Sequence, residues 1–156
     1  MKIGIFTALF GDKTRDIVVR EGIGAVEFGA GAYPGSAHLG GSNEAVAALI
    51  ADSGAIAKLQ DDVAKRGLEI SAISCHGNAL HPDPAVAKEH HDAFVNSVKL
   101  ASKLGVKCVN GFSGCPGDGP EAKNPNWVTC AWPDEYRQIL DWQWNERVIP
   151  YWKEQN

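Results

Sequence analysis

Short apolar runs alternate with helical periodicities along this chain. Residues 2–7 (KIGIFT), 25–28 (AVEF), 68–75 (LEISAISC) and 106–112 (VKCVNGF) are compact, β-branched-rich and bounded by turn residues, the pattern of buried strands. Between the first two, Thr14 can cap a short helix reaching Glu21, and Gly22 can close it in the left-handed conformation. After a glycine-rich loop over residues 29–41, Asn43 is expected to cap a helical run that Gly54 interrupts. Ile56, Leu59 and Val63 then repeat at helical spacing until Gly67. Asp83 as N-cap and Pro84 as first helical residue open a third helix, with a predicted buried stripe of Ala87, His91, Phe94, Val98 and Ala101 and a stop at Gly105. A long loop rich in Gly, Pro and Trp follows over residues 113–133. Tyr136, Leu140, Trp144, Val148 and Trp152, four apart, then define one face of a last helix, bent near Pro150.

Strands alternating with crossover helices predict an α/β fold with a parallel sheet and right-handed connections. Four strand–helix units are half of an eight-fold barrel, which typically needs about 250 residues. The 156 residues are therefore expected to form one domain, residues 1–156, incomplete at its C-terminus. The alternative is a doubly wound sheet, whose strand order would have to reverse once.

Composition narrows the function. A net charge of −4 and a pI near 5.7 leave no basic footprint, so nucleic acid is not an expected partner, and a small metabolite is. No run approaches the roughly 20 apolar residues of a membrane span, and residues 1–6 lack the length and flanks of a signal peptide. A cytoplasmic protein with no membrane partner is expected. Cys75, Cys108, Cys115 and Cys130 have neither Cys-x-x-Cys nor zinc-finger spacing and are expected to be reduced.

Chemistry concentrates where strands end. The third strand runs out at Ser74-Cys75 and is followed at once by His76, Asn78 and His81. Ligands in α/β sheets and barrels sit outside the carboxyl ends of the strands. His76 can hydrogen-bond a ligand hydroxyl there, or serve only to tether the loop. Asn78 can contact ligand or hold the turn after Gly77. His81 reads as a loop residue, and Gly77 and Pro82 break any helix that would pair it with His76 on a metal. Glu27 ends the second strand, where alternation with Val26 and Phe28 can aim it into a barrel interior, to bind ligand, to orient His76, or to bond backbone N–H groups of the next loop. Phe6 offers an apolar wall or plain core, and Ser113, which lacks a Gly-x-Ser-x-Gly elbow, can bind a hydroxyl or phosphate oxygen. Trp127 and Trp132 can close over a site or pin the long loop. Cys75 and His76, as strand neighbours, point apart and are no nucleophilic pair. In residues 29–35 (GAGAYPG) the third glycine falls one residue late for a dinucleotide loop and Pro34 interrupts the helix start, so no nicotinamide cofactor is expected.

Residues 4–12 (GIFTALFGD), 25–29 (AVEFG), 33–35 (YPG), 73–78 (ISCHGN), 80–84 (LHPDP), 112–118 (FSGCPGD), 125–129 (PNWVT), 142–144 (WQW) and 148–152 (VIPYW) together resemble the sugar isomerase/epimerase family with the xylose isomerase-like TIM barrel. The resemblance covers nearly the whole chain. The first crossover, residues 13–24, is several residues shorter than the family pattern, and the chain ends where a fifth strand would begin. The resemblance implies a metal-dependent isomerase or epimerase acting on a sugar, sugar phosphate or polyol through an enediolate. A divalent cation (manganese, magnesium, cobalt or zinc) would stabilise the developing oxyanion. Its ligands would lie in the barrel's second half, so none is assignable here and the isolated chain is expected to be inactive. This chain would supply one wall, with His76, Glu27, Asn78, Phe6, Ser113 and Trp127 as substrate-binding residues. The alternative is an inactive half-barrel that works as an assembly module, its open sheet edges covered in a homo-oligomer. A DNA-repair nuclease of the wider fold would need a phosphate-binding groove, against the acidic balance.

Overall fold

A computed structural model describes residues 2–10, 22–31, 33 and 35–156. The expected first helix, from Thr14 to Glu21, lies outside the described residues. The chain divides into two compact units, one formed by Met1–Gly77 and Asp92–Gly111, the other by Asn78–His91 and Phe112–Asn156.

The first unit carries a four-stranded sheet: β1 (Gly4–Phe6), β2 (Ala25–Gly29), β3 (Glu69–Cys75) and β4 (Val109–Gly111). Every pairing is parallel and the order is β1-β2-β3-β4, with no reversal among these four strands. The connections carry helices α1 (Asn43–Ala51), α2 (Ser53–Lys65) and α3 (Pro84–Leu104). The fold is α/β, as the alternation predicts.

One face of the sheet holds the core. Val26 and Phe28 of β2 and Ile73 of β3 pack with Val46 of α1, Ile56, Leu59 and Val63 of α2, and Leu100, Ala101 and Leu104 of α3. Because strand side chains alternate, Glu27 of β2 falls on the opposite face. A bulge determines what joins it there. Val26 pairs with Ile70 but Glu27 pairs with Ala72, so Ser71 is the extra residue, its hydroxyl donating to Val26 O at 3.1 Å. Unbulged pairing would set Ile73 opposite Gly29, on Glu27's face. The bulge instead pairs Ile73 with Phe28 in the core and sets Ser74 beside Gly29.

Two helix boundaries differ from expectation. Ser42, not Asn43, caps α1, accepting from Ala45 N at 3.1 Å. The break between α1 and α2 falls at Asp52 rather than Gly54, since the Asp52 carboxylate accepts from both Gly54 N and Ala55 N. Asp83 does meet the start of α3, accepting from Ala85 N at 2.8 Å, and Gly67 and Gly105 follow α2 and α3 with positive φ. The buried positions of α3 are Ala93, Ser97, Leu100, Ala101 and Leu104, and Val98 is exposed. Apolarity favours Val98 for the core over Ser97. Ser97 can be buried because its hydroxyl donates to Ala93 O at 2.8 Å within its own helix.

The second unit contains residues 78–91, the long loop, and a terminal helical run. That run comprises α4 (Asp134–Trp142), a π-helical stretch (Gln143–Val148) and α5 (Ile149–Gln155). The π-helical stretch ends two residues before Pro150, which stands in the first turn of α5. An i, i+5 repeat puts Gln143 and Val148 on one buried face, whereas the expected α-helical stripe paired Val148 with Trp144, which is exposed.

Candidate functional site

The polar groups of the sheet lie on the face opposite the core. Ser74 Oγ donates to the Glu27 carboxylate, Asn110 Nδ2 approaches Ser74 Oγ at 3.4 Å, and the Cys108 thiol donates to Asn110 Oδ1 at 3.3 Å. The chain of donors runs across three strands and ends on a carboxylate acceptor. Ser74 is fully buried, Glu27 and Asn110 half-buried. Thr7, just past β1, donates to Glu27 O at 3.0 Å and so fixes the main chain that carries the carboxylate.

Two expected site residues stand at the ends of the flanking strands. Phe6 ends β1, and His76 follows β3. Their rings meet edge-on, with centroids 5.9 Å apart and planes at 63°. His76 N donates to Tyr33 O at 3.0 Å, so the glycine-rich loop after β2 lies along the end of β3. Its glycines serve that approach. A Cβ on Gly29 would stand 2.5 Å from Gly35 O, and one on Gly31 would stand 2.6 Å from Cys75 Sγ. Cys75 itself is buried, and burial pushes its thiol up despite hydrogen bonds with Ser97 and the Gly77 backbone. Phe6, Glu27 and His76 are thus brought into one unit together with Ser74 and Asn110, which sequence reasoning missed.

Asn78, Ser113 and Trp127 belong to the second unit. The Asn78 amide bridges two segments: Oδ1 accepts from Leu80 N and Cys115 N, and Nδ2 donates to Cys115 O. Asn78 N donates to His90 Nδ1 at 2.8 Å, and His81 Nδ1 accepts from Asp83 N at 2.9 Å. Ser113 is exposed, and its carbonyl accepts from Trp152 Nε1 at 2.9 Å. His91, on the predicted α3 stripe, bonds the Tyr151 hydroxyl at 3.0 Å.

The long loop is held by a residue that no sequence signal singles out. Gln143 is fully buried. Its Nε2 donates to Gly117 O at 2.7 Å and Asn126 O at 3.0 Å, and its Oε1 accepts from Val128 N at 3.2 Å. Trp127 packs edge-on against Trp144 at 5.3 Å, whereas Trp132 is 80% exposed.

No cluster of three or more His, Cys, Asp or Glu side chains placed to hold a metal ion occurs among the described residues. Glu27 and His76 do not by themselves amount to a metal shell. No helix among the described residues is long and apolar enough to cross a membrane.

No family model matches the chain. The chain is 43% identical over 91 residues to a Bacillus subtilis (strain 168) protein called "Uncharacterized protein YfiH". That match takes in 57% of this chain and 29% of the relative's length.

Proposed function

We propose that these residues form one wall of the substrate site of a cytosolic sugar isomerase or epimerase built on a xylose isomerase-like TIM barrel. The observation that carries the proposal is the row Glu27–Ser74–Asn110 beside Phe6 and His76, on the coreless face at the carboxyl ends of consecutive parallel strands. Substrates of barrel enzymes sit at that end of the strands. The consecutive strand order and the helices packed on one face support the barrel over a doubly wound sheet.

Each residue's part follows from its chemistry. With one oxygen held by Ser74, the Glu27 carboxylate keeps its second oxygen as an acceptor for a substrate hydroxyl. His76 stands at the strand end, where an imidazole can share in hydrogen bonding to a substrate hydroxyl, and Phe6 adds apolar wall for the sugar's C–H side. These groups bind and orient an open-chain polyol. The described residues do not make a metal shell, so proton transfer is assigned to none of them.

The native protein, purified from its source cell and incubated in heavy water with manganese or magnesium, is expected to place deuterium at the carbon beside the carbonyl of an aldose or ketose. Glu27→Gln should lower kcat/KM by roughly 10- to 100-fold through the lost charge-assisted bond. Exchange without dependence on Glu27, or no exchange with any sugar, would remove the proposal.

A further inference from the structure

We propose that His90 is an acid-sensitive latch on the stem of the long loop: on taking up a proton it lets go of Asn78, and with Asn78 the start of that loop. His90 Nδ1 accepts from Asn78 N at 2.8 Å, in a half-buried bond. Asn78 in turn holds the loop, since its Oδ1 accepts from Leu80 N at 3.1 Å and Cys115 N at 2.8 Å, and its Nδ2 donates to Cys115 O at 2.9 Å. His90, Asn78 and Cys115 all belong to the second unit. The two segments fit without slack: a Cβ on Gly114 would stand 2.8 Å from Leu80 Cδ1. A shift of Asn78 is therefore passed on to residues 113–116.

The direction of the switch follows from the donor. A backbone N–H only donates, so its partner must be a ring nitrogen with a free lone pair, and His90 must be neutral with its proton on Nε2. An imidazolium donates from both nitrogens and would set N–H against N–H. The closed form thus binds one proton fewer than the open one. Opening grows as pH falls through the range in which imidazoles charge, about pH 8 to 5.

The other histidines of the segment respond differently. His91 Nδ1 meets the Tyr151 hydroxyl of α5 at 3.0 Å, and a hydroxyl both donates and accepts, so that bond survives either charge state. His81 Nδ1 accepts from Asp83 N at 2.9 Å, but this bond is exposed and water replaces it at little cost. The Asp83 carboxylate is engaged by Ala85 N at 2.8 Å. Three and four positions from His90 on α3, Val86, Ala87, Ala93 and Phe94 carry no charge, and Lys88, Glu89 and Asp92 are not its neighbours on the helix surface. The remaining titratable group on the segments it joins is the half-buried Cys115 thiol.

Gln143 limits the effect. It holds Gly117 O, Asn126 O and Val128 N through an amide that does not titrate, so this part of the loop stays in place while the stem opens. The latch involves no substrate or metal and stands apart from the isomerase proposal.

It is tested by amide hydrogen exchange on the full chain at about pH 7.5 and about pH 5.5, with protection corrected for the intrinsic pH dependence of exchange. Protection of Asn78 N, Leu80 N and Cys115 N should fall roughly tenfold at the lower pH, against less than about twofold at Val128 N. His90→Asn offers an acceptor that does not titrate near the place of Nδ1 and should keep the stem closed at both pH values. His90→Ala should leave it open at both, and His81→Asn should leave the pH dependence as it is. Side-chain ¹⁵N spectra of the unsubstituted chain report the same bond without a variant: His90 Nδ1 should be bare at the higher pH and protonated at the lower. Equal protection at both pH values would overturn the proposal, as would a pH dependence that survives in His90→Asn or an Nδ1 that already carries the proton at the higher pH.

Discussion

At Cys75 the environment decides the chemistry. Its neighbour is a histidine, yet the thiol lies buried on the core side against Gly31 and Ser97, while His76 meets Phe6. Burial penalises the thiolate, so alkylation near pH 8 should label Cys108 and Cys130, both exposed, well before Cys75, as read by mass spectrometry of the native chain. Early labelling of Cys75 would contradict its burial. The pH sign follows from the same shift. A thiol raised on folding contributes stability that is complete below its unfolded pKa, about 8.5, and is lost as pH climbs through the folded value. Gly31 shows the steric side of this packing. With a Cβ 2.6 Å from Cys75 Sγ and 3.0 Å from Cys75 Cα, Gly31→Ala must displace backbone as well as sulfur. It should cost about 1–3 kcal/mol in a urea melt, and an unchanged midpoint would refute the close approach.

Among the elements, Gln143 carries the largest testable effect. Gln143→Leu keeps much of the volume but leaves Gly117 O, Asn126 O and Val128 N without their partner. The expected cost is about 2–4 kcal/mol, with faster proteolysis within residues 113–133; a loop no more sensitive to protease would refute the anchor. The sequence made strands, helix order and strand-end chemistry legible because apolar periodicity and glycine or proline punctuation are local signals. It hid Gln143 because a buried glutamine looks like any surface glutamine until the carbonyls it satisfies are known. It hid the Ser71 bulge for a related reason, although a trace was present. Ile70 and Ile73 are three apart, and two core residues at odd spacing in one strand require an extra residue between them. That spacing puts Ser74 on Glu27's face, so half of the candidate site depended on an irregularity that alternation conceals. Of the expected α3 stripe, Ala101 is buried, Ala87, His91 and Phe94 are half-buried and Val98 is exposed; hydrophobicity ranks Val98 above Ser97, and the hydroxyl's i−4 bond lets Ser97 be buried instead.

For the whole molecule, charge separates the sugar proposal from a nuclease on a related barrel. The sequence holds 19 Asp and Glu against 15 Lys and Arg, a net charge of −4. Binding to duplex DNA draws on counterion release, which requires a run of lysines and arginines placed along phosphates. Here the strand-end row ends on the Glu27 carboxylate, and Asp118 lies exposed on the long loop. A phosphate brought to either would meet a like charge, a repulsion weakened but not reversed by salt. Fluorescence anisotropy with a short labelled duplex at roughly physiological salt should therefore show no saturable binding tighter than about 10⁻⁴ M, the weak limit of ordinary non-specific affinity. Lowering the salt should raise it only slightly, because few phosphate contacts are available to release ions. Micromolar affinity that falls steeply with added salt would mean that the fold's charges are arranged into a groove after all. The Glu27–Ser74–Asn110 row would then have to be read as phosphodiester rather than sugar chemistry.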